Sequence, residues 1–242
     1  MEVITSLVPY QVGDFPCQRF DVVAVIDVLR ATTTLLFAVK AEAKRIIPVA
    51  TVDEAFEIKY ELTSENVLLC GERGGKIVPG FDLGNSPLEY TPERVKGKTL
   101  IYASTNGSVL MRRAESLSDK IFLVSLRNIT AAADRIVSTA PKRMLIACAG
   151  KEGMSSLEDT YAAGFLIDKL RSMTDVELVE DGGNIAYTIF KYFGLDAMRV
   201  FESSVHGRYL RDELGLEKDL ELAAEIDADN IVPMLVSGEV VG

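Results

Sequence analysis

The apolar, β-branched run Val22–Ile26 ends in Asp27, and Arg30 and the hydroxyls of Thr32, Thr33 and Thr34 follow within seven residues. A buried strand would carry Asp27 to its C-terminal edge, where open α/β sheets bind their ligands. Threonines suit a helix entrance better than its interior, because their hydroxyls cap free backbone N–H groups. Together with Arg30, such a helix start would cradle a phosphate or another oxyanion. Asp27 beside it suits Mg²⁺, which takes one or two carboxylates plus substrate phosphate and water. The same aspartate could instead simply cap the turn after the strand.

Two further strand-to-helix junctions carry suitable side chains. Thr105, Asn106, Gly107 and Ser108 follow the run Leu100–Ala103, and a glycine there would let a ligand approach the backbone. An ordinary helix-capping turn explains these residues equally well. The junction at 153–159 ends in Glu158 and Asp159, which suit either a divalent cation or the positive end of a helix. Glu72, Arg73, Asp82 and Asn85 lie on the glycine-rich stretch 71–92 and would close over such a site. His206, the single histidine, is a candidate acid for a leaving alkoxide, or a structural residue. Cys148 ends a strand-like run and offers a rival cysteine hydrolase, although its neighbours are apolar. A third reading is a binder of anionic metabolites without catalysis. Haloacid-dehalogenase-type phosphatases place a second aspartate two residues after the nucleophile. Leu29 stands there, so that mechanism lacks its proton donor.

Strand-like runs at 21–27, 45–50, 66–71, 99–103, 120–125, 143–149 and 176–179 must position these residues. They alternate with helical patterns at 34–43, 53–62, 108–117, 129–139, 157–172 and 184–193. That alternation predicts an α/β fold with helices on both faces of a mainly parallel sheet, whose junctions open on one edge. From Ser203 onward the chain reads as helix without a strong strand. No linker or low-complexity block divides residues 1–242, which read as one unit, bilobal at most. With 242 residues, 48% of them apolar, the chain can bury a substantial core. A net charge of −10 disfavours nucleic acid and anionic membrane surfaces, so an anionic substrate would need a local basic cluster. No apolar run is long enough to span a membrane, and the first residues lack a signal-peptide layout. Cys17, Cys70 and Cys148 are too few and too scattered for a disulfide framework or a zinc site. A reducing cytoplasm is the expected compartment.

Several segments, taken in order, resemble the ComB-type 2-phosphosulfolactate phosphatases. They are Val25–Thr34 with Asp27 and Arg30, Gly71–Gly74, Gly80–Pro87, Thr105–Gly107, Cys148–Gly150 with Ser156–Asp159, and His206 with Gly207. The resemblance implies a three-layer α/β/α fold with a mostly parallel or mixed sheet. It also implies Mg²⁺-dependent hydrolysis of 2-phospho-3-sulfolactate to 3-sulfolactate and inorganic phosphate, a reaction of coenzyme M biosynthesis. On this reading Asp27, Glu158 and Asp159 contact the metal. Arg30, Thr32, Thr33, Thr34, Glu72, Asn85, Thr105, Asn106 and Gly107 meet the substrate, and His206 serves as acid. Such a trianionic substrate needs several cations, for which Arg30, Arg73, Arg127 and Arg208 are candidates. A homo-oligomer stays open.

Overall fold

The computed structural model describes residues 1–9, 19–62 and 66–242. Its strands are β1 (Glu2–Ser6), β2 (Val22–Ile26), β3 (Arg45–Val49), β4 (Val67–Arg73), β5 (Lys76–Ile77), β6 (Thr99–Ala103), β7 (Ile121–Val124), β8 (Arg143–Cys148), β9 (Glu177–Leu178), β10 (Met234–Val236) and β11 (Glu239–Val241). The helices are α1 (Ala31–Lys40), α2 (Val52–Leu62), α3 (Pro92–Val95), α4 (Gly107–Ala114), α5 (Ile129–Ser138), α6 (Leu157–Met173), α7 (Asp181–Phe193), α8 (Ala197–Ser203), α9 (Val205–Arg208) and α10 (Glu217–Ala223). Cys17 lies outside the described residues.

All strands join one sheet in the order β5-β4-β6-β3-β11-β10-β7-β2-β8-β1-β9. Central strands are buried on both faces, which explains their unbroken apolar runs. Val22, Ala24 and Ile26 of β2 pack into one cluster with α5–α8 and α10, whereas Val23 and Val25 pack into another with α1 and α4. This two-residue alternation fills both outer layers of an α/β/α sandwich. A third cluster holds α2 against β3, β4 and β6 through Val49, Ala55, Leu69 and Ile101.

The sheet is mixed, and its mixing corrects two expectations. The chain after Ser203 is not only helix: β10 and β11 form a hairpin that enters the middle of the sheet. Ser237 and Gly238 both take positive φ, 51° and 82°, as a two-residue hairpin turn of this twist requires. The hairpin pairs antiparallel with β7 on one side and with β3 on the other. The parallel run β4-β6-β3 is therefore reversed relative to β7-β2-β8-β1 along the hydrogen-bonded sheet. The loops after β2 and β6 do not share one parallel edge, and packing of their helices has to bring them together. The stretch 71–92 is ordered, with the Asp82 N–H donating to the Leu69 carbonyl at 2.8 Å and the Gly71 N–H to the Leu83 carbonyl at 3.0 Å. Among the described residues no helix is long and apolar enough to cross a membrane.

Candidate active site

Asp27 leaves β2 into the turn that starts α1. Its Oδ1 accepts from the Ala31 N–H at 3.2 Å, and its side chain is almost wholly enclosed, at 7% exposure. Gly107, the first residue of α4, lies directly against it. A Cβ at that position would sit 2.5 Å from Asp27 Oδ2 and 2.5 Å from the Ala31 Cβ. Only a glycine lets the two helix starts meet over this carboxylate. Burial pushes the Asp27 carboxyl up to about 6; the Ala31 amide and His206 oppose the shift, and the charges of Glu72 and Glu158 add to it.

Glu158 and Asp159 open α6, whose Ser156 side chain accepts from the Asp159 N–H. The two acids have different surroundings. Asp159 Oδ1 accepts from the Val28 N–H and Oδ2 from the Gly150 N–H, each at 2.9 Å. It thereby ties the loops after β2 and β8 together, a clamping position that the sequence did not foretell. Burial holds its carboxyl well above the ordinary carboxylate range. Glu158 Oε1 lies 3.1 Å from His206 Nδ1, while Glu158 Oε2 is buried without a hydrogen-bond partner. A buried carboxylate oxygen left open is costly unless a ligand or ion meets it.

The threonines behave otherwise than expected. Thr32 Oγ1 donates to the Asp27 carbonyl at 2.8 Å, Thr33 Oγ1 to the Val28 carbonyl at 2.9 Å, and Thr34 Oγ1 to the Asn85 carbonyl at 2.8 Å. All three are buried, and none lines the cavity described below. Their hydroxyls stabilise the tight turn and anchor the glycine-rich stretch, so the expected phosphate contacts of Thr32, Thr33 and Thr34 are replaced by structural ones.

Asp27, Arg30, Glu72, Asn85, Thr105, Asn106, Lys151, His206 and Tyr209 all line one cavity of about 210 Å³. Arg30 reaches it from a buried ion pair, its Nη1 lying 2.7 Å from Asp219 Oδ2 and its Nη2 donating to the Gly75 carbonyl at 2.8 Å. Glu72 is held at the cavity wall by its neighbours: Oε1 accepts from the Thr105 N–H at 2.7 Å, and Oε2 from the Gly75 N–H at 2.6 Å and the Thr105 hydroxyl at 3.2 Å. It joins β4 to the Thr105 turn. Asn85 Oδ1 accepts from the Tyr102 hydroxyl at 2.5 Å, which leaves the Asn85 amide N–H groups as donors toward the cavity.

Other candidates lie elsewhere. Asp82 pairs with Lys59 at 3.0 Å, and Arg73 donates to the Glu72 and Ala50 carbonyls. Arg127 is paired with Asp229 and Glu225, and Arg208 donates to the Glu202 and Ser203 carbonyls. None of these four lines the cavity. Cys148 is fully buried, its thiol donates to the Asp159 carbonyl, and burial pushes its pKa well above the ordinary thiol value. Full burial and the raised thiol pKa both speak against Cys148 as the nucleophile of the cysteine-hydrolase alternative. The sequence reading missed Lys151, Tyr209, Tyr102 and Asp219. Lys151 follows the Cys148–Gly150 segment and was detectable as a strand-end cation; Asp219 carries no local signal.

This geometry can be set beside known proteins. A family model described as 2-phosphosulpholactate phosphatase matches residues 13–238. A Caldanaerobacter subterraneus protein named "Probable 2-phosphosulfolactate phosphatase" is 39% identical over 216 residues, which span 89% of this chain and 88% of the relative. Relatives of the same name from Deinococcus radiodurans and Thermotoga maritima are 38% and 36% identical, spanning 90% and 92% of this chain and 89% and 93% of their own lengths.

Proposed function

Because this chain belongs to the 2-phosphosulpholactate phosphatase family, we propose that it hydrolyses 2-phospho-3-sulfolactate to 3-sulfolactate and inorganic phosphate with the help of Mg²⁺. The observation that carries this reading is that Asp27, Arg30 and His206 line one cavity, with the Gly107 helix start packed against Asp27 and Glu158 held behind His206.

The donor set suits Mg²⁺. Among the described residues no three His, Cys, Asp or Glu side chains are arranged to hold a metal by themselves. Mg²⁺ asks for less, binding through one or two carboxylates and completing its shell with water and substrate phosphate. Asp27 and the open Oε2 of Glu158 are the residues that would hold it, and a cation there would relieve the crowding of their charges. When bound, the ion would neutralise charge on the transferring phosphoryl group.

The chain's own residues do the rest. Arg30 and the amides of Asn85 and Asn106 hold phosphoryl oxygens, while Gly107 brings the α4 backbone within reach of them. Glu158 Oε1, 3.1 Å from His206 Nδ1, accepts the Nδ1–H and fixes the orientation of the imidazole. His206 Nε2 then gives its proton to the ester oxygen as the P–O bond breaks. Water attacks phosphorus in line from the opposite side, and its proton leaves with the released phosphate.

Phosphate release from 2-phospho-3-sulfolactate, with Mg²⁺ and with EDTA, tests the reading. The expected result is turnover only with the metal, and loss in Asp27→Asn of about 10³-fold or more from one metal-holding group worth several kcal/mol. Undiminished turnover in a folded Asp27→Asn protein overturns the assignment.

A further inference from the structure

Arg30, Lys151 and His206 are the basic side chains among the described residues lining the cavity. Arg30 is paired with Asp219, and His206 with Glu158. Lys151 stands in no ion pair among the described residues. Its ammonium instead lies over the Tyr209 ring, 4.5 Å from the centroid. An unpaired cation on the wall of a cavity rich in carboxylates, in a chain of net charge −10, is arranged to meet an anion from outside.

The surroundings hold this lysine in place. Its N–H donates to the Met154 carbonyl, and its carbonyl accepts from the Met154 N–H, both at 2.9 Å, so the backbone forms a closed turn. The aromatic face beneath the ammonium limits its rotamers and adds a cation–π attraction. The Tyr209 hydroxyl donates to the Gly74 carbonyl at 3.0 Å, which fixes the ring against the glycine-rich stretch. Lys151, like His206, also lines a neighbouring, more apolar cavity with Met154, Ile185 and Val205. The phosphoryl group is required beside Asp27. A group bound at Lys151, on the wall it forms with Tyr209, is then a second anion of the substrate.

We propose that Lys151, seated on Tyr209, forms a subsite for the sulfonate of the substrate and determines selection of a sulfonated over a plain 2-hydroxy acid. The inference rests on the functional reading above. In 2-phospho-3-sulfolactate the carboxylate is attached to the carbon that bears the phosphate, whereas the sulfonate sits one carbon further out. Lys151, the cavity cation that no carboxylate among the described residues pairs, thus matches the anion one carbon further from the phosphate. An ammonium, a point charge with three donors, suits a tetrahedral sulfonate with three equivalent oxygens and needs no planar fork.

Calorimetric binding of 3-sulfolactate and of lactate to the Mg²⁺-loaded protein tests the subsite without relying on turnover. Wild type is expected to bind 3-sulfolactate more tightly than lactate. Lys151→Gln should weaken 3-sulfolactate about tenfold to a hundredfold, the usual scale for one charge-assisted contact, and leave lactate unchanged. Lys151→Arg should recover part of the loss. In kinetics, Lys151→Gln should raise KM for 2-phospho-3-sulfolactate with kcat little altered, and should not change either constant for 2-phospholactate. Equal losses on both ligands, or no preference for the sulfonate in wild type, overturn the inference. A retained sulfonate preference without phosphate release from any ester overturns the phosphatase reading and leaves the subsite standing.

Discussion

Replacing Asp219 by alanine should destabilise the protein far more than an ordinary polar-to-alanine change. Arg30 and Asp219 have side-chain exposures of 4% and 2%, with Nη1 and Oδ2 2.7 Å apart. Removing one partner of such a pair leaves an uncompensated buried charge, at a cost of about 3–5 kcal/mol. Arg30 Nη2 keeps its bond to the Gly75 carbonyl, which favours the lower end, whereas Ser86 Oγ loses its 2.6 Å acceptor on Asp219 Oδ1. Taking about 3 kcal/mol, and about 2–4 °C of melting temperature per kcal/mol for a chain of this size, the fall is roughly 10 °C. Thermal unfolding followed by circular dichroism and urea titration measures it. The double variant Arg30→Met, Asp219→Leu removes both charges and should regain most of the lost stability, since apolar replacement of a whole buried pair is often neutral. It should nevertheless be inactive, because the guanidinium proposed to hold the phosphoryl oxygens is gone. An Asp219→Ala protein that melts with wild type would refute the argument, since it would show that the pair does not carry the desolvation assigned to it. A double variant that turns over normally would refute the role given to Arg30.

Two further outcomes follow from Asp27 and its neighbour. Gly107→Ala places a methyl 2.5 Å from Asp27 Oδ2, so it should displace that carboxylate and lower kcat/KM about 10²-fold, while Ser108→Ala at the next position should leave most activity; equal kcat/KM in Gly107→Ala and wild type would contradict the packing. Asp27 binds its proton more tightly in the folded chain, at about 6 against the ordinary 3.8. Its contribution to stability is complete below about 4 and is lost as pH rises through about 6. In EDTA, the melting temperature of wild type minus that of Asp27→Asn should fall across that window, and Mg²⁺ should flatten the difference. A difference that rises with pH would contradict the sign.

The parallel strands were legible because burial on both faces leaves unbroken apolar runs: Thr99–Ala103 was read to the residue, and Val22–Ile26, Ile121–Val124 and Arg143–Cys148 to within one or two. The strands at the two ends of the chain were not, although even the two-residue Glu177–Leu178 falls within the run 176–179. Met234–Val236 and Glu239–Val241 are too short for periodicity, and only the Ser237–Gly238 dipeptide marks them. Strand β1 was passed over because the five residues Glu2–Ser6 alternate weakly and no turn precedes them. Within the site, Asp27, Gly107, Glu158 and His206 stood out because strand ends and helix starts concentrate chemistry. The partners that hold them did not. Asp219 lies 189 positions from Arg30, and only the folded chain relates the two.

The three threonines show why residue type and position cannot assign a hydroxyl's direction. A threonine at a helix start can cap an N–H, bond a ligand, or donate back to a carbonyl, and sequence distinguishes none of these. Here the carbonyls of Asp27, Val28 and Asn85 are close, and each takes one hydroxyl. The neighbouring carboxylates sort by the same rule. Asp159 meets two backbone amides and becomes part of the frame, whereas Glu158, one residue earlier on α6, turns one oxygen to His206 and leaves the other open. Adjacent helix positions are about 100° apart, so a pair of neighbouring acids must present different faces. Here Asp159 faces the loops after β2 and β8, and Glu158 faces His206. That division leaves Glu158 Oε2 without a hydrogen-bond partner while both oxygens of Asp159 are taken by backbone amides.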